Sequence, residues 1–220
     1  MFCRDRRSFV ALGGLFALMA MGTTSCTKKA PLHEAALAGD TKAVREVLAS
    51  GVDVDAKDRK GRTALQRAVW RGHKDAVELL IEKGADVNAK FPNHITALHL
   101  VADKGYQDLA ELLISKGAEV DAKTKDGLTP LFMALSRNHI DMAKLLLKHG
   151  ANPKDPCGPY RETPLHMAVR TRDKDLVAQL IAQGADVNAK TEDDYTPLLT
   201  ALEWNSLEVA ELLRKHGAKE

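Results

Sequence analysis

The chain has 220 residues, 45% of them hydrophobic and 28% charged, and its 32 Lys and Arg against 30 Asp and Glu give a formal net charge of +2. This is enough apolar material for a folded core, and it lacks the basic excess that a nucleic-acid surface needs, so nucleic acid is excluded as a partner. Three widely separated cysteines, Cys3, Cys26 and Cys157, exclude a disulfide framework as the basis of the fold.

In chain order, the first segment stands apart from the rest. Arg4, Arg6 and Arg7 precede an uncharged, largely apolar run of 13 residues from Phe9 to Met21. That run falls short of the ~20 residues a membrane-spanning helix needs, but it fits the apolar region of a secretory signal peptide. Thr23-Thr24-Ser25-Cys26 resembles a bacterial lipoprotein cleavage site, in which a small residue precedes the cysteine that becomes acylated; Thr23 stands where leucine is usual. Arg6-Arg7-Ser8-Phe9-Val10 is similar to a twin-arginine export signal, with Asp5 in place of the usual Ser or Thr. The expectation is a signal peptide over 1–26, a lipid anchor at Cys26, and residence on the periplasmic face of a bacterial membrane. By resemblance to sorting patterns, Thr27 after the cysteine points to the outer membrane in a Gram-negative cell. Removing the segment before Cys26 takes away three arginines and one aspartate, which leaves a neutral mature domain.

The rest of the chain is organised around Gly61–Ala89, GRTALQRAVWRGHKDAVELLIEKGADVNA. Thr63-Ala64-Leu65 opens an apolar face continued by Ala68 and Val69 and broken by Gly72. Asp75 starts a second face through Ala76-Val77 and Leu79-Leu80-Ile81, closed by Gly84. Two helices this short are unstable alone, and each carries a strip that must be covered. The opening motif recurs at Thr63, Thr96, Thr129, Thr163 and Thr196, with a degenerate version at Ala30-Pro31-Leu32, and the closing glycine recurs at Gly51, Gly84, Gly117, Gly150, Gly184 and Gly217. Both series step by 33 residues, with one step of 34 between Gly150 and Gly184. Such a period is the signature of a solenoid. Thr163-Pro164-Leu165-His166-Met167-Ala168 and Gly184-Ala185-Asp186-Val187-Asn188 closely resemble the ankyrin repeat. The expected fold is therefore an all-α ankyrin-repeat solenoid over 30–220. Its six helix-pair repeats, joined by short hairpin loops, would fall near 30–60, 61–93, 94–126, 127–160, 161–193 and 194–220, in a monomer.

Individual repeats drift from the pattern. His94 stands where other repeats have Gly61 and Gly127, while Asn138, Arg172 and Asn205 replace the interhelix Gly39, Gly72 and Gly105. Asn tolerates the left-handed conformation this turn requires, whereas Arg172 is a costlier choice. Between the fourth and fifth repeats the usual Ala-Asp-Val-Asn-Ala is replaced by Ala151-Asn152-Pro153-Lys154-Asp155-Pro156-Cys157-Gly158-Pro159-Tyr160. Three prolines predict an irregular loop in place of the hairpin. It would be either a contact finger exposing Cys157 and Tyr160 or a tolerated loop variant.

The sequence contains no HExxH, paired CxxC, P-loop, GxSxG or EF-hand pattern, and we assign no catalytic, cofactor-binding or metal-binding residue. His33, His99 and His166 share one repeat position, but Gln66, Phe132 and Leu199 interrupt the row. The ankyrin resemblance implies that such histidines bond the backbone of their own and neighbouring repeats. Nothing in the sequence gives Cys157 a lowered pKa.

Binding remains. By resemblance, the variable positions are the hairpin tips and the ends of the first helices, which form a concave surface. The helix-end pairs are Trp70-Arg71, Asp103-Lys104, Ser136-Arg137, Arg170-Thr171 and Glu203-Trp204. The tips contribute Arg59-Lys60, Pro92-Asn93, Lys125-Asp126 and Glu192-Asp193. Trp70 and Trp204 read as equivalent positions four repeats apart, with Arg71, Arg137 and Arg170 between them facing a partner. Aromatics and arginines dominate interface energies, although the rings could instead lie flat across neighbouring helices. A protein adaptor in the cell envelope, an inhibitor or immunity-type protein blocking an envelope enzyme or toxin, and a structural spacer all fit this reading.

Overall fold

The computed structural model describes residues 31–158 and 160–219. The leader and Cys26 lie outside these residues. Twelve α-helices follow in six pairs: α1 (Pro31–Ala38) and α2 (Thr41–Ala49), α3 (Ala64–Arg71) and α4 (Lys74–Glu82), α5 (Ala97–Lys104) and α6 (Gln107–Ser115), α7 (Pro130–Ser136) and α8 (Ile140–Lys148), α9 (Pro164–Thr171) and α10 (Lys174–Ala182), α11 (Pro197–Glu203) and α12 (Leu207–Lys215). The all-α, six-repeat expectation holds, and no strand is present among the described residues.

Each first helix after α1 starts one residue beyond its threonine because that threonine caps it. Thr63 and Gln66 form a reciprocal capping box, Thr129 accepts from the Phe132 amide, and Thr196 accepts from that of Leu199. The second helices stop two residues before the closing glycines. At Gly84, φ is +90° and its N–H bonds the Ile81 carbonyl at 2.9 Å.

The motif leucines form one buried column, Leu32, Leu65, Leu98, Leu131, Leu165 and Leu198, none more than 1% exposed. Burying each is worth roughly 1.5–3 kcal/mol. A second column of small residues, Ala35, Ala68, Ala134, Ala168 and Ala201 with Val101 as the one exception, lets successive first helices approach closely. The second helices meet through leucines, Leu80, Leu113, Leu146, Leu180 and Leu213, and stand further apart. Close spacing in one layer and wide spacing in the other bends the stack. The first helices and the hairpins beside them therefore form the concave side.

Neighbouring repeats also interlock at the interhelix turn. His73 lies over Gly39, and a Cβ placed there would come within 2.7 Å of the ring. Tyr106 lies over Gly72 and His139 over Gly105 in the same way, at 3.2 and 2.9 Å. The rings of His73 and His139 place Nε2 3.1 and 3.0 Å from the Leu37 and Asp103 carbonyls, which the preceding first helix leaves without an internal partner. Where the following repeat offers Asp173 or Ser206 in place of a ring, the turn carries Asn138 or Arg172, each left-handed at φ +60° and +61°. The substitutions follow the neighbour as much as the turn.

The proline-rich segment departs from expectation. Each hairpin closes through a backbone bond, Asp58 N to Arg62 O, Phe91 N to Ile95 O, Thr124 N to Leu128 O and Thr191 N to Tyr195 O, at 2.8 to 3.0 Å. Cys157 N bonds Glu162 O at 2.8 Å in the same place, so the hairpin survives one residue longer rather than becoming an irregular loop. The prolines spare the amides that the bridge uses. Cys157 is consequently only 3% exposed, and burial pushes its thiol pKa up; Tyr160 alone faces solvent as a contact finger would require.

This junction does lose one rung. Elsewhere an Asx side chain three residues before the residue that closes the hairpin receives the amide of the next repeat: Asp55 from Asp86, Asn88 from Glu119, Asp121 from Asn152 and Asn188 from Lys219. Lys154 occupies the corresponding place and cannot accept, and its chain lies over Gly184 instead.

Candidate interaction surface

The helix ends and tips assigned from sequence are strung along the stack, at the ends of the first helices and at the hairpins between repeats. Trp70, Arg71, Lys104, Ser136, Arg137, Glu203 and Trp204 are exposed, while Asp103, Arg170 and Thr171 are half-buried. The serine and threonine hydroxyls turn back on their own helices: Ser136 donates to the Met133 carbonyl and Thr171 to that of Ala168. They contribute surface and no free donor.

The tryptophans correct the sequence reading in one respect. Trp70 lies inside α3, whereas Trp204 follows α11 as its C-terminal cap, so the two are one register position apart and not equivalent. Both remain nearly half exposed, at 49% and 45%. Each is held by a cation from an adjacent repeat. Lys104 Nζ stands 4.5 Å from the centre of the Trp70 ring, and the Arg170 guanidinium carbon is 5.8 Å from that of Trp204. One face of each ring is thus contacted within the protein.

The arginines divide. Arg137 Nε bonds Asp103 at 2.7 Å, and Arg170 pairs with Glu162, so neither is an unpaired cation awaiting a partner. Arg71 makes no ion pair with any described residue. Sequence reasoning treated all three alike because the acids that engage two of them arrive from other elements, at Asp103 and Glu162.

Two cavities mark the ends of this face. The first, of about 310 Å³, is lined by Leu37, Phe91, Leu100 and Trp70 on its apolar side and by Arg62, Arg67 and Arg71 among its polar groups. Asp58 holds this end in place: it accepts from the Lys60 and Arg62 amides and from Arg62 Nε, and lies 3.3 Å from Arg67 Nε. Burial alone would raise its pKa, but those donors outweigh burial and keep the carboxyl below its usual range. The second cavity, about 240 Å³, lies between Tyr160 and Tyr195, with Glu162, Asp193 and Glu203 on its walls.

The histidine row is structural, as the sequence implied. His99 and His166 are fully buried; their Nδ1 atoms accept from the Thr96 and Thr163 amides at 3.2 Å, and their Nε2–H groups donate to the Leu128 and Tyr195 carbonyls at 3.0 and 3.1 Å. Burial lowers the pKa of both. Among the described residues, no group of three or more His, Cys, Asp or Glu is arranged to hold a metal ion, and no helix is long and apolar enough to cross a membrane.

Comparison with known families agrees with this architecture. The family model described as ankyrin repeats (3 copies) matches residues 12–91, 88–157 and 152–220. Its first span begins inside the apolar run read as part of the leader, ahead of the described residues. No curated protein matches the chain significantly. The matched spans, the six stacked helix pairs and the capped threonine motifs agree, and the chain belongs to the ankyrin-repeat family, whose members are generally non-enzymatic protein–protein interaction modules.

Proposed function

We propose that the protein is a non-enzymatic adaptor, lipid-anchored in a bacterial cell envelope through Cys26, that binds a partner protein on the concave face between Trp70 and Trp204. The observation that carries the binding reading is the pair of half-exposed indoles, each contacted by a cation from a neighbouring repeat. Rigid, partly desolvated aromatics are the side chains around which interfaces concentrate their affinity. The anchoring rests on sequence alone, on the basic n-region, the apolar run and Ser25-Cys26. With Thr27, Lys28 and Lys29 as the only spacer before the first repeat, the solenoid would stand close to the membrane surface.

Two measurements test this. Mass spectrometry of the mature protein should find an acylated Cys26 at its N-terminus, and an intact Met1 would sink the anchoring. Envelope pulldowns with Trp70→Ala and Trp204→Ala should each lose a partner retained by the wild type, with a loss of about 2 kcal/mol, roughly thirtyfold, per anchor. Their melting temperatures should stay near that of the parent, unlike Leu165→Ala, whose core cavity costs ~2–5 kcal/mol. Full retention of the partner by the double variant would move the interface elsewhere.

A further inference from the structure

The two ends of the concave face differ in charge, and the difference is not neutralised within the protein. At the N-terminal end Asp58 is committed to Arg62 and Arg67, and Glu34 stands 3.5 Å from Arg67. Arg71 and the neighbouring hairpin tip, Arg59 and Lys60, are exposed and make no ion pair with any described residue. Lys104 lies over Trp70 but is 3.8 Å from Asp103, so the free charge at this end is that of Arg71, Arg59 and Lys60. At the C-terminal end the balance reverses. Arg170 is taken by Glu162 and Lys190 reaches Asp194 at 3.1 Å, so Glu192, Asp193 and Glu203 are left as exposed carboxylates around the two tyrosines, against the single exposed Arg161 at the tip beside Tyr160. Cations thus surround an apolar cavity at one end, and anions surround an aromatic one at the other.

We infer that this polarity sets both the chemistry and the direction of the bound partner: the cavity of Leu37, Phe91, Leu100 and Trp70 receives a bulky apolar side chain carried in an acidic segment, and the Tyr160–Tyr195 end receives basic residues of the same partner. This rests on the interaction-face reading above. A volume of about 310 Å³ is at the lower end of the range for ligand sites, ~300–1,000 Å³, and suits one or two side chains. The charge continues past the cavity along Arg59 and Lys60, so the occupant is an extended chain rather than a compact anion. Successive helices are spaced by ~8–10 Å, which separates the two ends by roughly 30–40 Å. A nucleic acid, negative along its whole length, would meet repulsion from Glu192 and Asp193. A polypeptide with charges of both signs meets none. Complementarity of this kind suppresses reversed binding, because like charges would face one another at both ends.

The chain has two tryptophans, so the indole N–H signals of isotopically labelled protein report the two ends separately, once Trp204→Phe assigns them. The probes are two short peptides with the same Leu-Phe core, flanked by glutamates in one and lysines in the other. The glutamate peptide should shift the Trp70 signal and leave Trp204 in place; the lysine peptide should do the reverse. Arg71→Glu and Arg59→Glu, both on the surface, should each weaken the glutamate peptide by roughly tenfold, and added salt should weaken it further. Equal response of Trp70 to both peptides, no response to the glutamate peptide at millimolar concentration, or indifference to both charge reversals overturns the polarity. A natural partner lost by the Trp70→Ala/Trp204→Ala double variant but unaffected by Arg71→Glu also overturns it and spares the interaction face. A partner indifferent to every one of these changes removes the interaction face itself.

Discussion

The junctions of the N-terminal half and those of the C-terminal half close the same turn by different means. In the first, a ring from the next repeat presses on a glycine, as His139 does on Gly105. In the second, Asn138 faces Asp173, which instead bonds Lys144 at 3.0 Å and caps α10 through the Leu176 amide. Arg172 faces Ser206 and donates to the Trp204 carbonyl at 2.9 Å. The first arrangement seals a helix end with a flat ring and permits no Cβ beneath it. The second leaves room for a side chain, and at Arg172 that side chain reaches across the junction. A position that looks like a turn requirement within one repeat is therefore a contact requirement between two.

The largest expected effect breaks the first arrangement. Gly105→Ala combines a left-handed alanine, about 1–2 kcal/mol, with a Cβ 2.9 Å from the His139 ring, and should cost ~2–3 kcal/mol in urea unfolding. In a His139→Asp background the same change should cost only the backbone part. Equal costs in both backgrounds would show that the ring is irrelevant to the glycine. The reciprocal change, Asn138→Gly, should stay within about 0.5 kcal/mol, as most surface substitutions do.

A graded effect separates the repeats by pH. The pKa values of His99 and His166 are lower in the folded protein than in the unfolded chain because burial disfavours the imidazolium. Each contributes stability that is complete above the unfolded value of about 6.5 and is lost as pH falls below it. The melting temperature should fall between pH 7 and pH 5, and the fall should shrink in a His99→Gln/His166→Gln variant, since Gln66 fills the same position in its own repeat with a capping box. A parent whose melting temperature is flat across that range would contradict the assignment of neutral, Nε2-protonated rings.

The smallest effect repairs the missing rung. Lys154→Asn supplies an acceptor for the Asp186 amide and should stabilise by about 0.5–1 kcal/mol, the usual net value of a hydrogen bond. A neutral or negative change would mean that the packing of Lys154 over Gly184 already compensates.

Much of this was legible in the chain because it was written several times over. The threonine caps, the leucine column and the closing glycines each recur at a fixed step, and each recurrence fixes the reading of the others. What escaped was the information that lies between repeats. Cys157 falls 33 residues after Thr124, the hairpin position, yet the prolines around it suggested exposure, since single-residue chemistry speaks louder than register. The pairing of Gly39, Gly72 and Gly105 with His73, Tyr106 and His139 was present as a sequence correlation, but it acquires meaning only when the next repeat is stacked. Arg137 and Arg170 looked available because their acids, Asp103 and Glu162, sit on other elements. The tryptophans stand one register position apart, which the pairwise recurrence of variable residues conceals.

The ring contacts carry one consequence for biosynthesis. His73 completes the end of α1 from 36 residues downstream, and His139 does the same for α5. A chain that emerges N-terminus first, from a ribosome or from a translocation pore, therefore finishes these helices late. Until the imidazole arrives, the Leu37 or Asp103 carbonyl must be hydrated, and the newest repeat stays provisional. Maturation thus proceeds with a lag of one repeat at these junctions, and a nascent chain stalled just before His73 would hold its first helix pair unsealed.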